Sequence, residues 1–251
     1  MELSLPIMIL ISLLFLFVAF LYSSVGHGGA SGYLAVFSLF ALAPNEMATT
    51  ALLLNILVAS IAFVAYYRAR YFSPSLTLPF LLSSIPMAFI GGMIYVSTTF
   101  YSILLCIALL FAAFRLIIDI NPTQTKIEIV SPNIVVALPV GGAIGLLSGI
   151  VGVGGGIFLS PLILLMKWAD PKQTSAASAC FIVLNSIAGL LGRHFEGNFS
   201  LGNFLPFLVA ATVGGFLGSR FGAQRFSNLL LRRLLGVVLF IAIIKLLVTA
   251  L

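Results

Sequence analysis

The chain is a succession of long apolar runs separated by short polar punctuation. Ten runs can be marked, at 5–24, 30–43, 47–67, 76–96, 101–119, 133–150, 156–168, 175–192, 203–221 and 230–250. Within each run the apolar residues are continuous, and most runs approach the ~20 residues that a helix needs to cross a hydrocarbon core. A strand of a membrane barrel would instead alternate polar and apolar positions over about 10 residues. The pattern predicts an all-α polytopic membrane protein. The runs 30–43 and 156–168 are shorter. Either reaches only ~20 Å as a helix against a core of ~30 Å, so both full and partial spanning remain open for them.

The polar stretch Asn121 to Pro132 divides the runs into two sets of five. It defines an N-terminal transmembrane repeat, 1–120, a linker, 121–132, and a C-terminal repeat, 133–251. The halves share landmarks at a nearly constant offset of about half the chain. Gly26-His27-Gly28-Gly29-Ala30-Ser31-Gly32 is answered by Gly152-Val153-Gly154-Gly155-Gly156. Pro44 is answered by Pro171, Asn55 by Asn185, Phe72-Ser73 by Phe199-Ser200, and Leu78-Pro79-Phe80 by Leu205-Pro206-Phe207. Five crossings per half would turn the second half over. The expected architecture is a pair of inverted repeats whose helices break at the glycine motifs.

Composition agrees with lipid as the solvent. The chain is 61% hydrophobic and 7% charged, whereas soluble domains carry about 25% charged residues. The net charge of +6 resides in interhelical loops. If every run crosses, one side carries Arg68, Arg70, Arg115, Lys126, Lys167, Lys172, Arg220, Arg225, Arg232 and Arg233, and the other only Arg193 and Lys245. The basic side is expected to be cytoplasmic, which leaves both termini extracytoplasmic. If the two short runs alone turned back, the basic residues would divide evenly. No basic cluster alternates with exposed aromatics, so nucleic acid is not an expected partner. The first residues, MELSLPIMIL, lack the positive charge of a cleavable leader and read as the first membrane helix. Cys106 and Cys180 lie inside apolar runs and read as small core residues rather than metal ligands or a disulfide.

The acidic residues narrow the cargo. Glu2, Glu46, Asp119, Glu128, Asp170 and Glu196 all fall at run ends or in loops. Cation carriers and many proton pumps keep a carboxylate at mid-span. Its absence points to an anion or a neutral substrate. Backbone N–H groups at a helix N-terminus hold anions without a fixed countercharge, and each glycine cluster precedes an apolar helix. The candidate binding residues are therefore Gly26, His27, Gly28, Gly29, Ser31 and Asn55 in the first half. Gly152, Gly154, Gly155, Gly156 and Asn185 are their counterparts in the second. Close helix packing is the competing account of the glycines, and helix bridging that of the asparagines. His27 could add charge when protonated and release an anion when neutral, or sit neutral on a backbone partner. Thr49, Thr50, Ser175 and Ser178 suit caps and helix packing, and Arg193-His194 a helix end or a basic lure for anions. Gly214, Gly218 and Gly222 recur at every fourth position and suit packing. GVGGG lacks the Gly-Lys-Ser/Thr of a phosphate loop, so neither ATP coupling nor a cofactor is expected. The two histidines lie in different halves, which leaves an enzyme without a dyad or a metal set. A passive anion channel is the alternative to a carrier.

At these residues the chain resembles the TauE/SafE family of sulfite exporters. The resemblance lies in a glycine cluster, an apolar run, a proline and then a small Ala/Thr/Ser cluster opening the next helix. The pattern reads GHGGASGYLAVFSLFALAPNEMATTALLLN in the first half and GVGGGIFLSPLILLMKWADPKQTSAASACFIVLN in the second. The closing GGFLGSRFG also fits. The halves depart from one another at His27 and Ala30 against Val153 and Gly156. The resemblance implies a transporter of sulfite, organosulfonates or related small anions in a prokaryotic inner membrane, with a coupling proton or ion left open.

Overall fold

The structure, a computed structural model, describes residues 5–23, 27–40, 43–117, 131–197, 204–222 and Ile244. Among the described residues it contains helices and no strand. In order these are α1 (Leu5–Ser23), α2 (Ala30–Leu39), α3 (Pro44–Arg68), α4 (Pro74–Met93), α5 (Thr98–Ile117), α6 (Ile134–Val151), α7 (Gly156–Leu165), α8 (Pro171–Phe195) and α9 (Leu205–Gly222). Each of the first nine apolar runs becomes one helix. The tenth run, apart from Ile244, and most of the linker lie outside the described residues, as does Gly26. α1, α3, α4, α6 and α8 are long and apolar enough to cross a membrane.

Local chemistry sets the helix ends. α3, α4 and α8 open on Pro44, Pro74 and Pro171, where proline gives up an N–H that would have no intrahelical partner anyway. α8 adds a capping box: Asp170 accepts from the amides of Lys172 (2.8 Å) and Gln173 (2.9 Å), and Gln173 Oε1 accepts from Asp170 N (3.0 Å). That box extends α8 beyond its apolar run at the N-terminal end. α2 and α7 finish earlier than their runs, at 10 residues each, or about 15 Å, half the thickness of a hydrocarbon core.

The contacts fix helix direction. A Cβ at Gly141, Gly145 or Gly149 of α6 would strike the carbonyls of Phe80, Ser84 and Ala88 in α4, so these two helices run parallel at close range. Gly214 and Gly218 of α9 meet the carbonyls of Leu16 and Phe20 in α1 in the same way. Small residues let helix backbones approach where lipid supplies no hydrophobic drive. α3 and α8 lie antiparallel. Lys172, in the first turn of α8, donates to Tyr71 Oη (3.2 Å) just beyond the end of α3. Gly189, late in α8, meets Leu52 in the first half of α3.

α2 doubles back along α1. The Phe15 ring lies 4.8 Å from both Tyr33 and Phe37, and Gly32 faces Val18 and Tyr22. α1 stops short of the far end of α3: Ser23 donates to Gly215 O (2.6 Å), and Gly215 faces Val58, near the middle of α3. The first glycine loop therefore lies inside the bundle. The second half repeats the device, with Gly155 facing Ile144 of α6 and Gly156 facing Ile182 of α8.

Candidate functional site

Asn55 stands near the midpoint of α3 and is 1% exposed. Its Oδ1 accepts from Ala30 N (3.2 Å), the first amide of α2, and its Nδ2 donates to Val153 O (3.1 Å) in the second glycine loop. One side chain thus joins both loops. A Cβ at Gly28 would strike Asn55 Oδ1, and one at Gly154 would strike Asn55 Nδ2; Ile182 closes on both glycines from α8. The junction is assembled from backbone, one amide and one aliphatic side chain, so any larger residue at Gly28 or Gly154 would displace the amide between them.

Glycine is also demanded by the backbone. Gly29 and Gly155 are the matched N-caps of α2 and α7, at φ 97° and 78°. That left-handed region favours glycine, and neither cap carries a side chain to satisfy the helix amides. At α2 the gap is filled from elsewhere, by Asn55 Oδ1. At α7 no side-chain cap is made.

His27 leaves its own repeat. Its Nε2 lies 2.8 Å from Ser160 Oγ in α7. Ser160 donates to Gly156 O (2.8 Å) and lies 2.7 Å from Ser178 Oγ in α8. A hydroxyl has one proton and two lone pairs, so with its proton on Gly156 O, Ser160 accepts from Ser178 and from a protonated Nε2. The first loop is thereby tied to the first turns of the second repeat's short helix.

The structure brings His27, Gly28, Gly29, Asn55, Gly154, Gly155 and Gly156 around this junction. Gly152 stands at its edge, ending α6 at φ 84° and facing Ala48 of α3. Two predicted residues turn elsewhere. Ser31 pairs with Tyr22 Oη (2.7 Å) across the α1–α2 hairpin. Asn185 donates to Phe181 O (2.8 Å) in its own helix, and its buried Oδ1 has no partner among the described residues. The two asparagines that match in sequence are therefore used differently.

Sequence reasoning missed Ser160, Ile182 and Ser186, and read Ser178 as a residue for caps and helix packing. Ser160 is the one polar side chain of GIFLSPLILL, a signal visible along the chain, but its partner lies in the other half. Ser186 Oγ is buried 3.0 Å from the position a Cβ would take at Gly154. Arg193, read as a helix-end residue or a lure for anions, is 4% exposed. It donates to Gly149 O (3.0 Å) and Ile150 O (2.6 Å), while Tyr101 Oη donates to Val151 O (3.1 Å), so the two side chains close the C-terminal end of α6. Gly214 and Gly218 serve packing, as their spacing suggests.

In chemical terms the junction presents amides, hydroxyls and an imidazole. Asp170 and Glu196 flank α8, and Glu46 lies in the first turn of α3. Among the described residues no carboxylate reaches the junction. Such a surface offers hydrogen-bond donors to an anion.

The family model "Sulfite exporter TauE/SafE" matches residues 11–246. The chain is 32% identical over 240 residues to a probable membrane transporter protein, y4hK, of Sinorhizobium fredii, covering 94% of this chain and 97% of that protein. Over shorter stretches it is 30% identical to the probable membrane transporter protein YunE of Bacillus subtilis (34% of this chain, 31% of that protein). It is 33% identical to a probable membrane transporter protein of Haemophilus influenzae (38% and 40%). No solved structure matches the chain significantly. A helical bundle with membrane-length apolar helices and this match along nearly its whole length place the chain in the sulfite exporter TauE/SafE family of membrane transporters.

Proposed function

We propose that the protein is a secondary transporter of a small anion, sulfite, a sulfonate or a related sulfur oxyanion, held where the two glycine loops meet. The observation that carries this reading is the double use of Asn55, which binds the first amide of α2 and the second loop at once. The parallel pairs α1–α9 and α4–α6, and the antiparallel α3–α8, support a reading in which each half runs the reverse course of the other. That arrangement supports an inverted repeat and alternating access about the junction. The sulfur oxyanion comes from the family's printed name and from a junction that offers donors without a carboxylate. The proposed setting is a prokaryotic inner membrane with both termini outside.

The test is a counterflow screen in proteoliposomes with sulfite, sulfate, thiosulfate, sulfonates, carboxylates and halides. Saturable flux of a sulfur oxyanion is expected, with gradient dependence separating a carrier from a channel. Gly28→Leu and Gly154→Leu are expected to abolish it while folded protein is retained in the membrane. Normal transport by both variants would remove the loops from the site.

A further inference from the structure

The chain divides at its linker in sequence and elsewhere in packing. α4 leaves the first half to pack with α6 and α8. Ser83 of α4 donates to Leu138 O of α6 (2.7 Å), and a Cβ at Gly91 of α4 would strike Leu146 O of α6. On its other side, a Cβ at Gly92 would strike Gly189 O of α8, and one at Gly192 of α8 would strike Phe89 O. Arg193 of α8 donates to Gly149 O (3.0 Å) and Ile150 O (2.6 Å) of α6, which closes the triangle. α7 joins it through Gly156, which faces Ile182 of α8. The turn after α7 adds Trp168, whose ring lies 5.8 Å from Phe80 of α4.

α9 makes the reverse exchange, leaving the second half to pack with α1, α2 and α3. Ser23 of α1 donates to Gly215 O (2.6 Å), and a Cβ at Gly215 would stand 3.5 Å from Val58 Cβ in α3. Phe207 of α9 lies 5.3 Å from Phe15 of α1 and 5.7 Å from Phe37 of α2. α4 and α9 carry the matched Leu-Pro-Phe landmarks. In each, the phenylalanine reaches aromatic rings of the opposite half. The exchange is therefore reciprocal, and each set of helices mixes the two halves.

Contacts inside a set and contacts between sets differ in kind. Inside, helix backbones touch at glycines, and close-packed surfaces of that sort are not continuously deformable. Between the sets, α3 meets α8 through side chains. Leu52 Cδ1 lies 3.5 Å from a Cβ position at Gly189, and Lys172 donates to Tyr71 Oη (3.2 Å) at the far end of α3. The loops add Asn55 Nδ2 to Val153 O (3.1 Å) and His27 Nε2 to Ser160 Oγ (2.8 Å). Side-chain contacts of this sort can shift while the packed helices on either side stay whole.

We propose that the protein works as two composite bodies, α1–α2–α3–α9 and α4–α6–α7–α8, which rock against each other along the α3–α8 contact. The sequence halves do not separate, because α4 and α9 bind each half to the other. The proposal rests on the transport reading above and adds its moving parts: the junction of the glycine loops lies on the boundary between the bodies.

The test ties helices together in a chain freed of its own thiols by Cys106→Ser and Cys180→Ser. Ser83 Cβ lies 3.8 Å from the Cβ position at Gly142 of α6, and Val58 Cβ 3.5 Å from that at Gly215. Both distances suit a disulfide, whose Cβ atoms stand about 3.5–4.5 Å apart. Ser83→Cys/Gly142→Cys and Val58→Cys/Gly215→Cys each join the two sequence halves inside one body. Tyr71→Cys/Lys172→Cys, bridged by bis-methanethiosulfonates of graded length, joins the two bodies. Initial rates are measured in proteoliposomes before cross-linking, after it and after reduction. The substrate is the anion that wild type moves fastest among sulfite, sulfate, thiosulfate and methanesulfonate. Flux through the two oxidised disulfide pairs is expected to stay within about twofold of the reduced forms, while the bridged pair falls at least about tenfold and recovers on reduction. Should one disulfide pair fail to fold, the other decides. Loss of flux on oxidation of a folded disulfide pair would show that the sequence halves part from each other, and would overturn the composite bodies. Unchanged flux in the bridged Tyr71→Cys/Lys172→Cys chain would overturn motion along α3–α8. Both results leave the transport reading intact, whereas absence of flux for every anion in wild type overturns that reading and the moving bodies together.

Discussion

Replacing Asn55 tests the junction most directly. Asn55→Ala removes two hydrogen bonds and leaves Ala30 N–H and Val153 C=O facing each other across a gap inside the bundle. Interhelical hydrogen bonds in membrane proteins average about 0.6 kcal/mol and reach about 1.7, so two of them amount to roughly 1–3 kcal/mol. In a chain of this size that corresponds to a fall in Tm of about 2–10 °C. The functional loss should be larger, because the same side chain fixes the spacing of the two loops. Asn55→Asp separates the two effects. It keeps the acceptor for Ala30 N, sets an oxygen against Val153 O, and adds negative charge where the anion is proposed to bind. Unfolding followed by the fluorescence of Trp168, the single tryptophan, gives the first quantity and proteoliposome flux the second. The expected order is reduced flux in Asn55→Ala and none in Asn55→Asp, with the unfolding temperature lowered in both. Wild-type Tm and flux in both variants would refute Asn55 as the joint between the loops.

Three further outcomes are expected. Gly218→Leu should lower folded yield, read by size-exclusion profile, because the new side chain meets the Phe20 carbonyl of α1; a well-folded, inactive variant would count against a packing role. His27→Gln can still donate to Ser160 but cannot titrate. Wild-type KM should therefore rise as pH rises through the imidazole range and the imidazolium is lost, while the variant's stays flat; an unchanged profile would make His27 structural. Cysteines at Ser73 and at Ser227, the latter outside the described residues, should both label only from the cytoplasmic face, and labelling of Ser227→Cys from outside would defeat the proposed topology.

Apolar run length was enough to read the helices, because lipid forces every backbone amide into a hydrogen bond within its own segment. The glycine loops were legible for a related reason: Gly29 and Gly155 occupy a conformation that other residues avoid. Their partners were not legible. Asn55 and Asn185 match in sequence, yet one bridges two loops and the other bonds to Phe181 within α8. The same holds for Ser160, whose meaning appears only when His27 arrives from the opposite half. Arg193, read as a helix-end charge or a lure for anions, does stand in the last turn of α8, but its burial was not legible because hydropathy places a residue along a helix and says nothing of what covers it; the carbonyls that receive it belong to α6.

The hairpins also bear on which side of the membrane the charges occupy. Counting basic residues favoured full crossing because turning back α2 and α7 alone divides the charges evenly. The structure offers a third arrangement. α2 runs back along α1, and α1 ends near the middle of α3 rather than at its far end. A hairpin of two antiparallel helices returns the chain to the side it left, whatever depth it reaches. Two full crossings and one re-entrant hairpin therefore assign the same side to everything that follows. The same argument applies to α6 and α7. The bias that sets Arg193 and Lys245 apart from the other basic residues thus does not require the short helices to span. It is compatible with loops held at mid-depth, which is where a carrier that opens alternately to each face needs its site.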